Sequence, residues 1–206
     1  MAVVLPDKHQ AQFYASKNLM QWDYLSTFGP LGDTTKIWEC RDLVQLPVVN
    51  EPEKKKWALL ISASHPQGKT FVGMQYFVGE FDGTSFVAQN AVQYPLFLDY
   101  GKDFYAGVTF NKIPETEGRK ILIAWANNWA YGQAIPTDPW RSVMTLPREV
   151  FLKLTPGGYK INQRPIREVD TLRLEQITDL SAIDLAEDGA VEIEYEFTGG
   201  DAAPLG

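Results

Sequence analysis

The chain has 206 residues, 45% of them hydrophobic and 13% aromatic, with 26 acidic against 19 basic side chains for a net charge of −7. Scattered lysines and arginines on an acidic chain exclude the footprint of a nucleic-acid binder, and the absence of any apolar run of about 18 residues excludes a membrane-spanning helix. A single cysteine, Cys40, and two histidines, His9 and His65, exclude an internal disulfide framework and a zinc-ligand set, so neither metal nor cofactor is expected.

Met1-Ala2-Val3-Val4-Leu5-Pro6 is too short for a signal-peptide core and carries no basic leader, which predicts a soluble chain of unassigned compartment. Phe13 and Trp22 then bracket a hairpin with Asn18 at its turn. Trp38-Glu39-Cys40-Arg41-Asp42-Leu43 opens a strand on an acidic residue, and residues 52–56 form a short helical candidate. Trp57-Ala58-Leu59-Leu60-Ile61 is an apolar run of buried-strand length. Phe77 and Phe86 bracket a second hairpin around Asp82-Gly83, and Ile121-Leu122-Ile123-Ala124-Trp125 is a second apolar run. Past Phe151 the character shifts to Gly157-Gly158, Pro165 and an acidic tail with a helical candidate over 180–185. The alternation Val191-Glu192-Ile193-Glu194-Tyr195-Glu196-Phe197 predicts one half-buried strand with glutamates on its wet face.

Two stretches of the chain match at a spacing of 64 residues: Phe13 with Phe77, Trp22 with Phe86, Trp57 with Ile121 and Glu39 with Asp103. Each unit reads as short strands closing on a hairpin, the plan of a propeller blade, and near-absent helical periodicity disfavours an α/β fold. Residues 1–150 supply two such units plus the closing hairpin of a preceding one, whereas propellers close with roughly four to eight blades. Open blade edges are avoided in soluble proteins, so association with further copies, or completion by a missing N-terminal half, is expected.

Three constellations carry chemistry. Glu39, beside a tryptophan and a cysteine at a strand start, is a candidate general acid: partial desolvation raises a carboxyl pKa, although a strand-opening glutamate is more often a surface residue. Asp99-Tyr100-Gly101-Lys102-Asp103-Phe104-Tyr105 puts Asp103 at the equivalent strand of the next unit, where it would face the same funnel; Asp99, Lys102 and Tyr105 serve equally well as a turn network. Trp125-Ala126-Asn127-Asn128-Trp129 combines indole faces with amides, a pairing that suits a sugar ring, with Trp129 as platform and Trp125 as core.

In this order the stretches resemble glycoside hydrolase family 32, the invertase, inulinase and levanase type. Trp38-Glu39-Cys40 with Asp42-Leu43 is similar to the family's Trp-Glu-Cys-Pro-Asp-Leu motif; Asp99-Tyr100-Gly101, Asp103-Phe104-Tyr105-Ala106, Ile121-Leu122-Ile123-Ala124-Trp125 and Asn127-Asn128-Trp129 resemble its later propeller strands, and Met144-Thr145-Leu146-Pro147-Arg148-Glu149 resembles its run into the sandwich. The resemblance implies an all-β fold: a partial five-bladed β-propeller of about two and a half blades over 1–150, a linker over 151–167 and the beginning of a β-sandwich over 168–206. It implies Glu39 as acid/base, Asp42, Asp99, Tyr100 and Trp129 as contributors to a fructose subsite, and a fructose-containing oligo- or polysaccharide such as sucrose, inulin or levan as partner.

Two departures qualify the resemblance. The family's nucleophile motif, Trp-Met-Asn-Asp-Pro-Asn-Gly, and its Arg-Asp-Pro motif do not occur in these 206 residues. Arg41 replaces the motif's proline, and a guanidinium on Glu39's face would favour the ionised carboxylate, against a general acid's needs. Two functional readings follow: the acid/base part of a retaining β-fructosidase, or a truncated homologue that binds fructans or self-associates without turnover.

Overall fold

A computed structural model describes residues 1–64, 72–89, 94–174, 176 and 190–193. The chain divides into two compact units, Met1–Arg167 and Glu168–Gly206. The first is an all-β partial propeller of three antiparallel sheets, its described helical turns being short 3-10 segments.

The first sheet consists of β1 (Ala2–Leu5), β2 (Gln10–Ala15) and β3 (Asp23–Phe28) in that order. The second runs β4 (Ile37–Pro47), β5 (Lys55–Ser64), β6 (Gly73–Phe81) and β7 (Phe86–Ala88). In the third, β8 (Tyr105–Thr109) pairs with one edge of β9 (Lys120–Ala126), and β10 (Val143–Met144) and β11 (Arg148–Thr155) share the other edge. The sheet closes on β12 (Gly158–Pro165).

Turn chemistry works as its residue types suggest. Asn18 Oδ1 accepts from the Met20 and Gln21 amides at 3.0 and 2.9 Å, and Asp82 Oδ1 from those of Thr84 and Ser85 at 2.8 and 2.7 Å. The 64-residue spacing is structural too, since Trp57 and Ile121 lie on β5 and β9, each beside the first strand of its sheet. β5 reads as a continuous apolar run because both its faces are covered. Leu59 and Ile61 join Ala11, Phe13, Phe28, Trp38 and Phe77 in a core between the first and second sheets. Leu60 joins Leu46, Tyr76, Phe104, Leu122, Ala124 and Leu152 in a core between the second and third.

Several expectations are corrected. The opening sheet has a third strand, β1, beyond the expected hairpin. Residues 52–56 form no helix: Glu53 has φ of +68°, and Lys54 N–H closes a turn on Glu51 O at 3.0 Å before β5 begins. Residues 151–167 are mostly not a linker, because β11 and β12 pair in register from Arg148–Pro165 to Thr155–Gly158, with the glycines in the hairpin turn. The sequence changes character there because this hairpin is the outer half of the third sheet, less covered than β5 or β9. The loop after β4 fastens that hairpin, Asn50 exchanging two hydrogen bonds with the Leu154 backbone at 2.8 and 2.9 Å.

In the second unit, Arg173 forms a two-bond ion pair with Glu192 at 2.7 and 2.8 Å. Val191, Glu192 and Ile193 are described without strand structure; Glu194 to Phe197 and the helical candidate at 180–185 lie outside the described residues.

Leu60 is buried against the third sheet, so Leu60→Ala is expected to cost about 2–5 kcal/mol, whereas Val87→Ala, at an exposed site, shifts stability by about 0.5 kcal/mol or less. Urea denaturation midpoints of the two variants check the contrast.

Candidate active site

The site is organised by one extra residue in β4. Glu39 pairs with Ser62 and Arg41 with Ile61, leaving Cys40 as a β-bulge with φ of +25°. In a regular strand Glu39 and Arg41 would share a face; the bulge parts them and puts Glu39 and Asp42, three residues apart, on one face. That face looks toward β8, and the opposite face toward β1. Arg41 accordingly turns away from Glu39, its Nε donating to Ala2 O at 2.6 Å.

Glu39 is half-buried, and its Oε2 accepts two hydrogen bonds, from Ser64 Oγ at 2.9 Å and from the Tyr105 hydroxyl at 2.5 Å. Ser64 belongs to the neighbouring strand of the same sheet and Tyr105 opens the third sheet, so the carboxyl group is held by two sheets at once. Tyr105 is 2% exposed; burial first, and the hydrogen bond to Glu39 second, push its phenol well above the usual tyrosine range, which keeps it a donor at any working pH. Desolvation, then the charge of Glu39, push the thiol of the neighbouring Cys40 up as well.

Asp42 makes the second link across the seam. Its Oδ2 accepts from the Thr109 amide at 2.7 Å and from the Thr109 hydroxyl at 2.6 Å. Ser62, between these two links on the same face, accepts from Ala106 N–H at 3.1 Å.

The other candidates sit along the start of the third sheet. Asp99 accepts from Gly101 N–H at 2.7 Å and pairs with Arg148 at 2.6 Å, and that guanidinium lies 4.5 Å from the centre of the Phe104 ring. Asp99 therefore braces a loop by both its oxygens. Tyr100 is 79% exposed, its ring edge-on to Phe97. Trp129 is 52% exposed and packs on Trp125 at 5.0 Å, which in turn meets Tyr105 edge-on at 6.4 Å. A line of rings thus runs from the partner of Glu39 to an open indole face.

Asn127 and Asn128, read as sugar-facing amides, are buried and turned inward. Asn127 bonds Ser142 and the Asn128 amide, and Asn128 bonds Lys102 O at 2.8 Å and Ala130 N–H at 2.9 Å. Asp103 is exposed and accepts from the Tyr131 hydroxyl. That bond, with a smaller contribution from burial, pushes the Tyr131 phenol up to about 12. No cluster of three metal-ligating side chains exists among the described residues.

Behind Glu39, Trp38 is fully buried and its indole N–H donates to Asp33 O at 2.9 Å. Asp33 N–H in turn bonds the buried Gln75 at 2.9 Å, where Gly32 has φ of +75° and an added Cβ would stand 2.5 Å from Gln75 Oε1. Burial alone would raise the Asp33 carboxyl, but bonds from Lys36 and Thr35 outweigh it and hold the group below the usual aspartate range.

The fold and site define a partial β-propeller with a braced carboxyl group where two of its sheets meet. Residues 1–165 match the Glycosyl hydrolases family 32 N-terminal domain. The chain is 43% identical over 172 residues to a levanase of Bacillus subtilis (strain 168), covering 83% of this chain and 25% of that protein. It superposes on the crystal structure of exo-inulinase from Aspergillus awamori with a TM-score of 0.70 at 38% identity, covering 78% of this chain and 32% of that one. Fructofuranosidase from Schwanniomyces occidentalis, complexed with fructose, gives a TM-score of 0.68 at 33% identity, over 78% and 31% of the two chains. The chain belongs to glycoside hydrolase family 32, and it spans about a quarter to a third of the length of these relatives.

The depressed carboxyl of Asp33 contributes stability that is present above its unfolded pKa and lost as pH falls through the lower folded value. Asp33→Asn is therefore expected to be less stable than wild type at pH 7, with the gap closing below about pH 4. Thermal melts of both proteins at stepped pH measure it; a gap that stays constant would remove Asp33 from the pH response.

Proposed function

We propose that this chain supplies the acid/base part of a retaining β-fructosidase site acting on terminal β-D-fructofuranosides such as those of sucrose, inulin or levan. The observation that carries the reading is the Glu39 carboxyl, braced through Oε2 by Tyr105 and Ser64, in a family 32 propeller. Among the described residues Oε1 accepts no hydrogen bond, which leaves one oxygen to exchange a proton with substrate. Relatives named levanase, exo-inulinase and fructofuranosidase support the same substrate class.

In this reading Glu39 protonates the glycosidic oxygen as the bond to the anomeric carbon breaks, and later takes a proton from the water that releases fructose. A carboxylate about 5–5.5 Å from it must form the covalent intermediate. Asp42 and Asp99 already hold Thr109 and Arg148, so we place the nucleophile outside these 206 residues, in the rest of a complete propeller. Trp129 and Tyr100 offer aromatic faces to the sugar, Asp42 turns its second oxygen to the same subsite, and Asp99 shapes the subsite by bracing the loop beneath Tyr100.

A second reading, a fructan-binding or self-associating module, draws on exposed apolar side chains of the third sheet and its borders, with Val108, Phe110 and Met144 each about half exposed. Such a surface suits either the next blade or another copy of the chain.

Fructose release from sucrose and inulin tests the enzyme reading. With the nucleophile outside the chain, turnover by the chain alone is expected to be at least about a thousandfold below that of a propeller carrying both carboxylates. Whatever turnover is present should fall about a hundredfold or more in Glu39→Gln. Equal release by wild type and Glu39→Gln would remove Glu39 from the mechanism. Trp129→Ala is expected to raise KM with a smaller change in kcat, and an unchanged KM would take Trp129 out of the subsite.

A further inference from the structure

We propose that Tyr105 is a positioning residue for the acid/base step, and that with Ser64 it confines the transferable proton of Glu39 to Oε1. The inference rests on Glu39 acting as the acid/base residue. Both donors converge on Oε2 from different sheets, Ser64 at 2.9 Å and Tyr105 at 2.5 Å, and two donors on one oxygen leave no room for a proton there.

The phenol is not free to turn away. Tyr105 is buried, its ring meets Trp125 edge-on at 6.4 Å, and the Ala106 amide next to it is tied to Ser62 at 3.1 Å. Ala106 itself has φ of +51°, a left-handed conformation that a non-glycine residue adopts only when its surroundings hold it there. Strand β8 is thus delivered to β4 in one arrangement, with the Tyr105 hydroxyl aimed at the glutamate.

The proton balance gives this placement its use. In the first step the Oε1–H proton passes to the leaving oxygen as the glycosidic bond breaks and a carboxylate from outside the chain bonds to the anomeric carbon. Glu39 becomes anionic, and the charge left on it is shared with two donors already in place. In the second step Oε1 takes a proton from water as the water oxygen displaces the carboxylate. Tyr105 neither gains nor loses a proton in either step; its phenol is held well above the usual range and serves only as a donor. It acts through Glu39 by fixing which oxygen reacts and in what direction, and misplacement of a reacting group by about 1 Å is worth about a hundredfold in rate.

Two measurements on the full chain test this, using Tyr105→Phe, which keeps the ring on Trp125 and removes only the hydroxyl. The first needs no turnover. Unfolding equilibrium constants of Tyr105→Phe, Glu39→Gln and the double variant form a cycle, and the double variant is expected to be at least about threefold less perturbed than the product of the single effects. Effects that simply multiply would show that the two side chains do not act together and would overturn the proposal.

The second compares fructose release from sucrose, whose leaving group needs protonation, with release of a nitrophenol from an aryl β-fructofuranoside, whose leaving group does not. Tyr105→Phe is expected to lower kcat on sucrose about tenfold to a hundredfold with KM within about twofold, and to slow the first aryl release much less. Equal losses on both substrates would make Tyr105 merely structural and overturn the proposal. A large loss in Glu39→Gln with none in Tyr105→Phe overturns the positioning role alone. No loss in Glu39→Gln overturns the acid/base reading beneath it.

Discussion

One inserted residue in β4 decides what the site contains. Strand geometry sends alternate side chains to opposite faces, so without the bulge at Cys40 a glutamate at 39 and an aspartate at 42 would look toward different sheets. With it, both carboxylates meet β8, the arginine between them goes to β1, and the apolar run of β5 stays in register beneath. A non-glycine residue at φ of +25° carries a conformational cost, which the surrounding ladder of β4, β5 and β6 has to outweigh.

The seam between the second and third sheets changes character along its length. Towards the middle it is dry, with Leu60, Leu122, Ala124 and Leu152 interlocked, and there packing alone sets the distance between sheets. At the Glu39 end it becomes polar, and hydrogen bonds take over: Glu39 to Tyr105, Ser62 to Ala106 and Asp42 to Thr109. The apolar part supplies stability and the polar part direction. A carboxyl group in such a place is useful because the sheets that carry its partners cannot drift without disturbing the dry core.

Much of the fold was legible because each sheet announces itself through apolar runs and hairpin residues: Trp57 to Ile61, Ile121 to Trp125, Asn18 and Asp82 all do what their residue types suggest. What escaped was set by register. The serines that flank Glu39's face, Ser62 and Ser64, read as ordinary strand residues until the pairing of Ile37 with Ser64 is known. Tyr105 reads equally well as a turn residue, and only the approach of β8 to β4 turns it into a donor for Glu39. Asn127 and Asn128 erred in the other direction. Amides beside tryptophans suit a sugar, yet a buried loop has its own amides and carbonyls to satisfy, and these two side chains are consumed by that need. The hairpin at 151–165 was missed because glycine pairs mark linkers and tight turns alike.

Arg41 shows how a departure from a motif can leave chemistry alone. A proline at this position would lack both the side-chain donor and the backbone N–H. The arginine has both, and its guanidinium fastens Ala2 O, joining the first sheet to the second on the face away from Glu39. Its charge stands beyond the plane of β4 from the carboxyl group that matters, with the strand's own backbone between them. The substitution therefore bears on how firmly β1 is held against β4 rather than on the hydrogen bonds that Glu39 accepts, and the bulge that turns Glu39 toward β8 is the same feature that turns Arg41 away.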